Sequence, residues 1–201
     1  MDLSASSGAR RTREAVCEAY SEASRHPRGK RSFPVGKEFA ESLGYPSDLL
    51  ERLPAAATEA FSGVSNVSVI AEIPSGARVL DLGCGAGLDS LIAAIRTGPS
   101  GIVVGVDFGS AMLERAHEAA SAARLHNAVF CRADAESLPI KSGSMDVAIV
   151  NGIFNLNPAR SEIFGELARV LRKGGIAYAA ELILREPLPA DIRGSEANWF
   201  A

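Results

Sequence analysis

A chain of 201 residues, 47% of them hydrophobic and 22% charged, has room for one ordinary globular domain with a small helical attachment, not for two full domains. Its formal net charge of -3 gives no field to draw a polyanion, so nucleic acid is not an expected partner. No apolar run reaches the length of about 18 residues that a membrane span needs, and Met1 to Arg13 lacks the apolar middle of a signal peptide, so no membrane is expected and a cytoplasmic location is the default.

In chain order, a Ser- and Gly-containing start is expected to be disordered, and Arg11 to Arg25 then reads as a helix with Ala15, Ala19 and Ala23 on one face. His26 to Arg31 reads as a basic loop, a solvated linker rather than a binding patch. Ser47 to Phe61 is helical after Pro46 and interrupted at Pro54. Residues 1–75 are thus expected to form an N-terminal helical cap and linker, and residues 76–201 the core. There, short β-branched or apolar runs at Arg78 to Leu82, Ile102 to Asp107, Val129 to Arg132, Met145 to Val150 and Ile176 to Leu182 read as strands. Helical stretches alternate with them: Leu88 to Ile95, Ser110 to Ala123 with Ser110 as N-cap, and Ser161 to Leu171 before a turn at Arg172 to Gly175. The fold class is α/β, a Rossmann-like doubly wound parallel sheet covered on both faces, for which right-handed crossovers favour the order 3-2-1-4-5.

The three cysteines, Cys17, Cys84 and Cys131, form no CxxC pair, so neither a disulfide framework nor a zinc finger is indicated. Cys131 reads as a buried, inert thiol in its strand. His26, His117 and His126 lack ligand spacing and read as surface or turn residues, so no metal site is expected.

The strongest local signal is Val79-Leu80-Asp81-Leu82-Gly83-Cys84-Gly85-Ala86-Gly87, a hydrophobic strand breaking into alternate glycines just before a helix. Such a loop lets backbone approach a ligand where a Cβ would clash, although alone it could be a turn that binds nothing. Asp107 ends the second strand, where a carboxylate can accept from both ribose hydroxyls of an adenosyl group. Asp134 follows the third strand, placed either to accept from an adenine amino group or to cap a turn. These strand ends converge on the carboxyl edge of the sheet at its switch point. A nicotinamide cofactor asks for G-x-G-x-x-G, but here the last position is Leu88 and the third glycine comes one residue early. The spacing favours S-adenosylmethionine (SAM), whose methionine carboxylate would face the helix N-terminus.

Asp81 to Gly87, Gly105-Val106-Asp107 and Arg169 to Gly175 together resemble the class I SAM-dependent methyltransferases. Phe33 to Pro46 and Asn151-Gly152-Ile153-Phe154-Asn155-Leu156-Asn157-Pro158 are similar to the arsenite methyltransferase branch, with a weaker match at Leu188 to Arg193; the resemblance covers roughly Phe33 to Arg193. It implies a cofactor site of Asp81, Gly83, Cys84, Gly85, Gly87, Asp107, Phe108, Met112, Asp134, Ala135 and Asn151. In it Asp107 would hold the ribose, Asp134 and Ala135 the adenine, Phe108 and Met112 the apolar side of the adenosine, and Asn151 the methionine end. Core packing explains Met112 equally well.

Two departures narrow the expectation. Where the arsenite enzymes carry an arsenic-ligating cysteine after the asparagine, this chain has Gly152, and the family's next substrate cysteine lies beyond Ala201. Arsenic(III) needs converging thiolates, and of the three thiols only Cys17 is free to approach from the cap, so arsenite is not the expected acceptor. The usual antiparallel strands after the fifth strand are expected to be absent, which would leave an open apolar edge for a second copy or another chain to cover, with Trp199 and Phe200 at the contact. The expected function is methyl transfer to another small molecule, with Asn155 and Tyr20 either orienting it or serving structure and no catalytic base identified; the alternative is a non-catalytic regulatory or scaffold subunit.

Overall fold

The computed structural model describes residues 33–183, together with Glu18, Tyr20 and Glu22 on an upstream helix. The remainder of the expected helix Arg11 to Arg25, the basic loop with Cys17 and His26 nearby, and the expectations placed at Leu188 to Arg193, Trp199 and Phe200 lie outside the described residues. Four short helices, α1 (Lys37–Ser42), α2 (Ser47–Glu51), α3 (Ala55–Thr58) and α4 (Val67–Ile70), precede β1 (Arg78–Leu82). Then follow α5 (Leu88–Thr97), β2 (Ile102–Asp107), α6 (Ser110–Ala122), β3 (Ala128–Arg132), β4 (Met145–Asn151), a 3-10 turn at Phe154–Leu156, α7 (Arg160–Val170) and β5 (Leu171–Ala180). All four strand pairings are parallel, in the order β3-β2-β1-β4-β5.

Parallel strands buried on both faces read as near-continuous apolar runs, and β1 and β4 supply them, broken only by Arg78, Asp81, Asp146 and Asn151. Val79, Val103, Val147 and Ile149 face one apolar layer shared with Ala93 and Ala94 of α5. Leu80, Leu82, Val106, Ala148 and Val150 face the other, closed by Ile163, Leu167 and Val170 of α7. In α6 the stripe Met112, Leu113, Ala116, Ala119 and Ala120 is buried, as its three- and four-residue spacing implies. The first helices share this core rather than standing off it: Ala40, Tyr45, Leu50, Leu53, Ala57 and Phe61 form one cluster with Leu88, Leu91 and Ile92 of α5.

Three local expectations are corrected. Gly109, not Ser110, is the N-cap residue of α6, and no side chain caps that end. Arg172 to Gly175 is not a free turn but part of β5: Leu171 pairs with Met145, and the ladder resumes with Ile176 opposite Val147. Gly174, at φ 79°, accommodates the irregularity as a bulge glycine does. β5 also ends at Ala180 rather than Leu182. Among the described residues it is one of the two outer strands of the sheet, β3 being the other, with Ile176 50% exposed. No helix among the described residues is long and apolar enough to cross a membrane.

Candidate cofactor and acceptor cleft

Four neighbouring strands deliver their carboxyl ends to one cleft of about 120 Å³. Gly83, Cys84 and Gly85 come from the end of β1, Asp107 and Phe108 from β2, Ala133 and Ala135 from β3, and Asn151, Gly152 and Ile153 from β4. This is the switch point of the sheet, where β1 has β2 on one side and β4 on the other. Tyr20, Ala60, Phe61, Ser62 and Gly63 close it from the N-terminal side.

The loop after β1 turns back on β2 through Gly83 and Cys84, whose amides both donate to the Val106 carbonyl at 2.8 and 3.0 Å. Gly83 has φ 76°, and a Cβ there would lie 2.3 Å from Ile153 Cγ2, so only glycine fits. Gly85 has φ 50°, and a Cβ there would meet no atom within 4 Å. The space beside Gly85 is therefore available to a ligand. Its amide donates to Asp107 Oδ2 at 2.9 Å while the Gly109 amide donates to Oδ1 at 2.8 Å. These bonds, with a contribution from the Phe108 amide, fix the Asp107 carboxylate, which keeps lone-pair capacity for a hydroxyl donor. With Leu82, Val106, Phe108, Met112 and Ala135 alongside, the cleft fits an adenosyl group: one oriented carboxylate, an apolar floor and a glycine cradle.

Two further carboxylates line the cleft. Asp81 is 2% exposed and accepts from Ser90 Oγ at 2.5 Å. Asp89, 6% exposed in the first turn of α5, accepts from Tyr45 Oη at 2.6 Å, from Asn151 Nδ2 at 2.8 Å and from Ser68 Oγ. Burial pushes the Asp81 carboxyl well up, and the Asp89 charge adds to it. Burial also raises Asp89 and Asp107, outweighing the donors that stabilise their charge. The Tyr45 phenol is pushed up by its burial and by Asp89.

Tyr20 stacks on Phe33 at 5.1 Å and joins Ala60, Ala86 and Met112 in a small apolar cluster. Burial, then the charges of Asp107 and Glu181, push its phenol up to about 12, so it stays neutral. The Cys84 thiol is pushed well up by burial, then by Asp107 and Asp81, and Cys131, half-buried on β3, is raised by burial. His117 and His126 are exposed, His117 edge-on to Phe130. No cluster of three or more His, Cys, Asp or Glu side chains arranged for a metal occurs among the described residues.

Of the residues singled out in the sequence, Asp81, Gly83, Cys84, Gly85, Asp107, Phe108, Met112, Ala135, Asn151 and Tyr20 line the cleft. Three others do not. Gly87 is the N-cap of α5 and sits behind the loop, where a Cβ would lie 3.1 Å from Ala116 Cβ. Asp134 is exposed and bridges to Ser137. The Asn155 amide donates to Glu181 Oε1 and the Leu182 carbonyl, outside the lining. The sequence reading missed Asp89, Tyr45, the wall from Phe61 to Gly63, Asn157, and Glu181, which accepts from the Phe154 and Asn155 amides. An acid inside the mostly apolar stretch Leu88 to Ile95 was the one available signal for Asp89; the wall carries no motif.

Residues 73–200 match the family described as a methyltransferase domain. An arsenite methyltransferase from Halobacterium salinarum is 34% identical over 77% of this chain and 39% of its own length. A demethylmenaquinone methyltransferase from Listeria monocytogenes is 36% identical over 51% of this chain and 44% of its own length. Among solved structures, an arsenic(III) S-adenosylmethionine methyltransferase from Chlamydomonas reinhardtii is similar at a TM-score of 0.61 and 31% identity, covering 80% of this chain and 53% of that one. The chain thus spans less than half the length of these two curated relatives.

The buried carboxylates set a pH dependence. A carboxyl whose native pKa is raised keeps its proton when the unfolded chain has released it, so stability is full below the ordinary value of 3.8 and is lost as pH rises through the native one. Asp81→Asn removes one such charge. In urea titrations of the ligand-free protein across pH, the variant should gain on the wild type as pH rises; a difference independent of pH contradicts the shift assigned to Asp81.

Proposed function

This chain belongs to the class I SAM-dependent methyltransferases, in the branch resembling arsenite methyltransferases, with SAM as cofactor, and we propose that it methylates an uncharged, largely apolar small molecule other than arsenite. The observation that carries this reading is the cleft's lining: among the described lining residues Asp81, Asp89 and Asp107 are the only carboxylic acids and there is no Lys, Arg or His, and the acceptor side would consist of Tyr20, Phe61, Ser62, Ile153, Leu156 and Asn157. Such a cleft repels carboxylates and phosphates and accepts an apolar body with one or two polar atoms.

Bound SAM supplies the electrophilic methyl group, and the chain supplies orientation and exclusion of water. Asp107 would hold the ribose hydroxyls, with Phe108, Met112 and Ala135 against the adenosine; Asp134, exposed beside β3, would reach the adenine from the rim. Gly83, Cys84 and Gly85 would border the methionine end. The neutral Tyr20 phenol, hydrogen-bonded to the neighbouring Ser62 hydroxyl, would lie beside the acceptor and can donate a hydrogen bond to its oxygen or nitrogen. Asn155, held by Glu181, would act by fixing the loop that carries Leu156 and Asn157.

Arsenite is disfavoured on physical grounds. Arsenic(III) needs converging thiolates, but of the described cysteines only Cys84, in the loop after β1, lines the cleft, and Cys131 on β3 does not. At Gly152, with φ 81°, a Cβ would lie 2.9 Å from Val64 Cγ1, so the position has no room for a cysteine side chain.

Titration calorimetry and a methyl-transfer assay test the reading together. Asp107→Ala should weaken SAM binding by about 1.5 to 3 kcal/mol, the usual cost of losing a charged acceptor, and labelled methyl should pass to neutral phenols or quinols and not to arsenite. Unchanged SAM affinity in the variant, or turnover of arsenite to methylarsenicals, contradicts it.

The outer edge of β5, with Ile176 and the following Leu182 and Ile183 exposed, supports assembly with a second copy or another chain that continues the sheet. Light scattering on the purified chain should show a dimer or larger species; a stable monomer with full transferase activity contradicts this.

A further inference from the structure

Asn151 lines the cleft, but its amide is spent within the protein. Oδ1 accepts from two successive amides, Val64 at 2.8 Å and Ser65 at 3.1 Å. Nδ2 donates to the Ser65 carbonyl at 2.7 Å and Asp89 Oδ2 at 2.8 Å, with Tyr45 Oη at 3.3 Å. Tyr45 Oη in turn donates to Asp89 Oδ1 and reaches the Ser65 carbonyl at 3.0 Å. One side chain at the end of β4 therefore ties the segment after Phe61 to the first turn of α5. The fit is close: a Cβ on Gly63 would lie 2.5 Å from Asn151 Nδ2 and 2.8 Å from Phe61 Cζ. Phe61, Ser62 and Gly63 form, with Tyr20, the N-terminal wall of the cleft.

We propose that Asn151 and Asp89 are positioning residues, a hydrogen-bonded latch that holds the Phe61 to Ser65 wall against the cofactor end of the cleft, so that they set SAM affinity through that wall rather than by contact with the cofactor. The polarity of the latch is fixed at both ends. Asn151 must present its oxygen to two amide donors and its nitrogen to a carboxylate, so a flipped amide would face donors with a donor and an acceptor with an acceptor. The inference rests on the cleft being the SAM site.

The test uses three variants of the whole chain. Asn151→Asp sets a carboxylate against Asp89, and Asp89→Asn can set an amide donor against the Asn151 donor. The double variant restores one donor and one acceptor in the reverse direction, amide at 89 and carboxylate at 151. Hydrogen exchange should show the Val64 and Ser65 amides protected in the wild type and exposed in each single variant. SAM titrated into the folded proteins should bind each single variant about tenfold more weakly, equivalent to about 1.4 kcal/mol. The double variant should recover most of that loss, as coupled partners do in a double-mutant cycle. Single variants that bind SAM like the wild type, or a double variant no better than the singles, overturn the proposal. If the wild type itself fails to bind SAM, the cofactor reading falls, and the exchange pattern alone decides the latch: protection lost in the single variants and regained in the double supports it, and unchanged protection refutes it.

Discussion

Three carboxylates at one sheet edge are the constraint around which this molecule is arranged. Isolated charges at such depth would cost several kcal/mol each, and Asp81, Asp89 and Asp107 are tolerable because each is met by donors. Asp107 is held by two backbone amides of the loops flanking it. Asp81 is met by Ser90 one turn into α5. Asp89 gathers Tyr45, Ser68 and Asn151 from three separate parts of the chain. The donors do not neutralise the acids, whose pKa values all remain raised. Bound SAM would bring a sulfonium and an ammonium, as well as a carboxylate, to the side of these acids, and the positive groups would favour their charged forms.

The same donors explain why the N-terminal helices belong with the core. Tyr45, at the junction of α1 and α2, is both an apolar partner of Phe61 at 5.0 Å and a donor to Asp89. Its ring contributes to the cluster shared with Leu88, Leu91 and Ile92, and its hydroxyl completes the polar network below the cleft. Packing and site geometry are thus one structure at this point, and a change in the helices before β1 is felt at the strand ends.

Much of this was readable from residue order. Buried parallel strands show as runs such as Arg78 to Leu82 and Met145 to Val150, and the alanine stripe of α6 fixes its inward face, so the strand order followed from the handedness of the crossovers. The glycine loop and Asp107 were legible because a strand end, a turn requiring positive φ and a helix start leave a local signature. Asp89 was harder, since its role depends on Tyr45 and Asn151, 44 and 62 positions away. The wall from Phe61 to Gly63 is invisible for the same reason: nothing in Phe-Ser-Gly shows what it will face. The β5 start was misread because Arg172 to Gly175 has the composition of a turn, and only pairing with β4 draws it into the ladder.

The central claim is that the loop after β1 and the Asp107 carboxylate form the cofactor cradle. The most direct measurement is a crystal structure of the chain grown with S-adenosylhomocysteine. The account predicts both ribose hydroxyls within hydrogen-bond distance of Asp107, the ligand passing beside Gly85, and the Asn151 amide still bound to Val64 and Ser65. A ligand elsewhere on the surface, or one in the cleft with Asp107 turned away from the ribose, would contradict it.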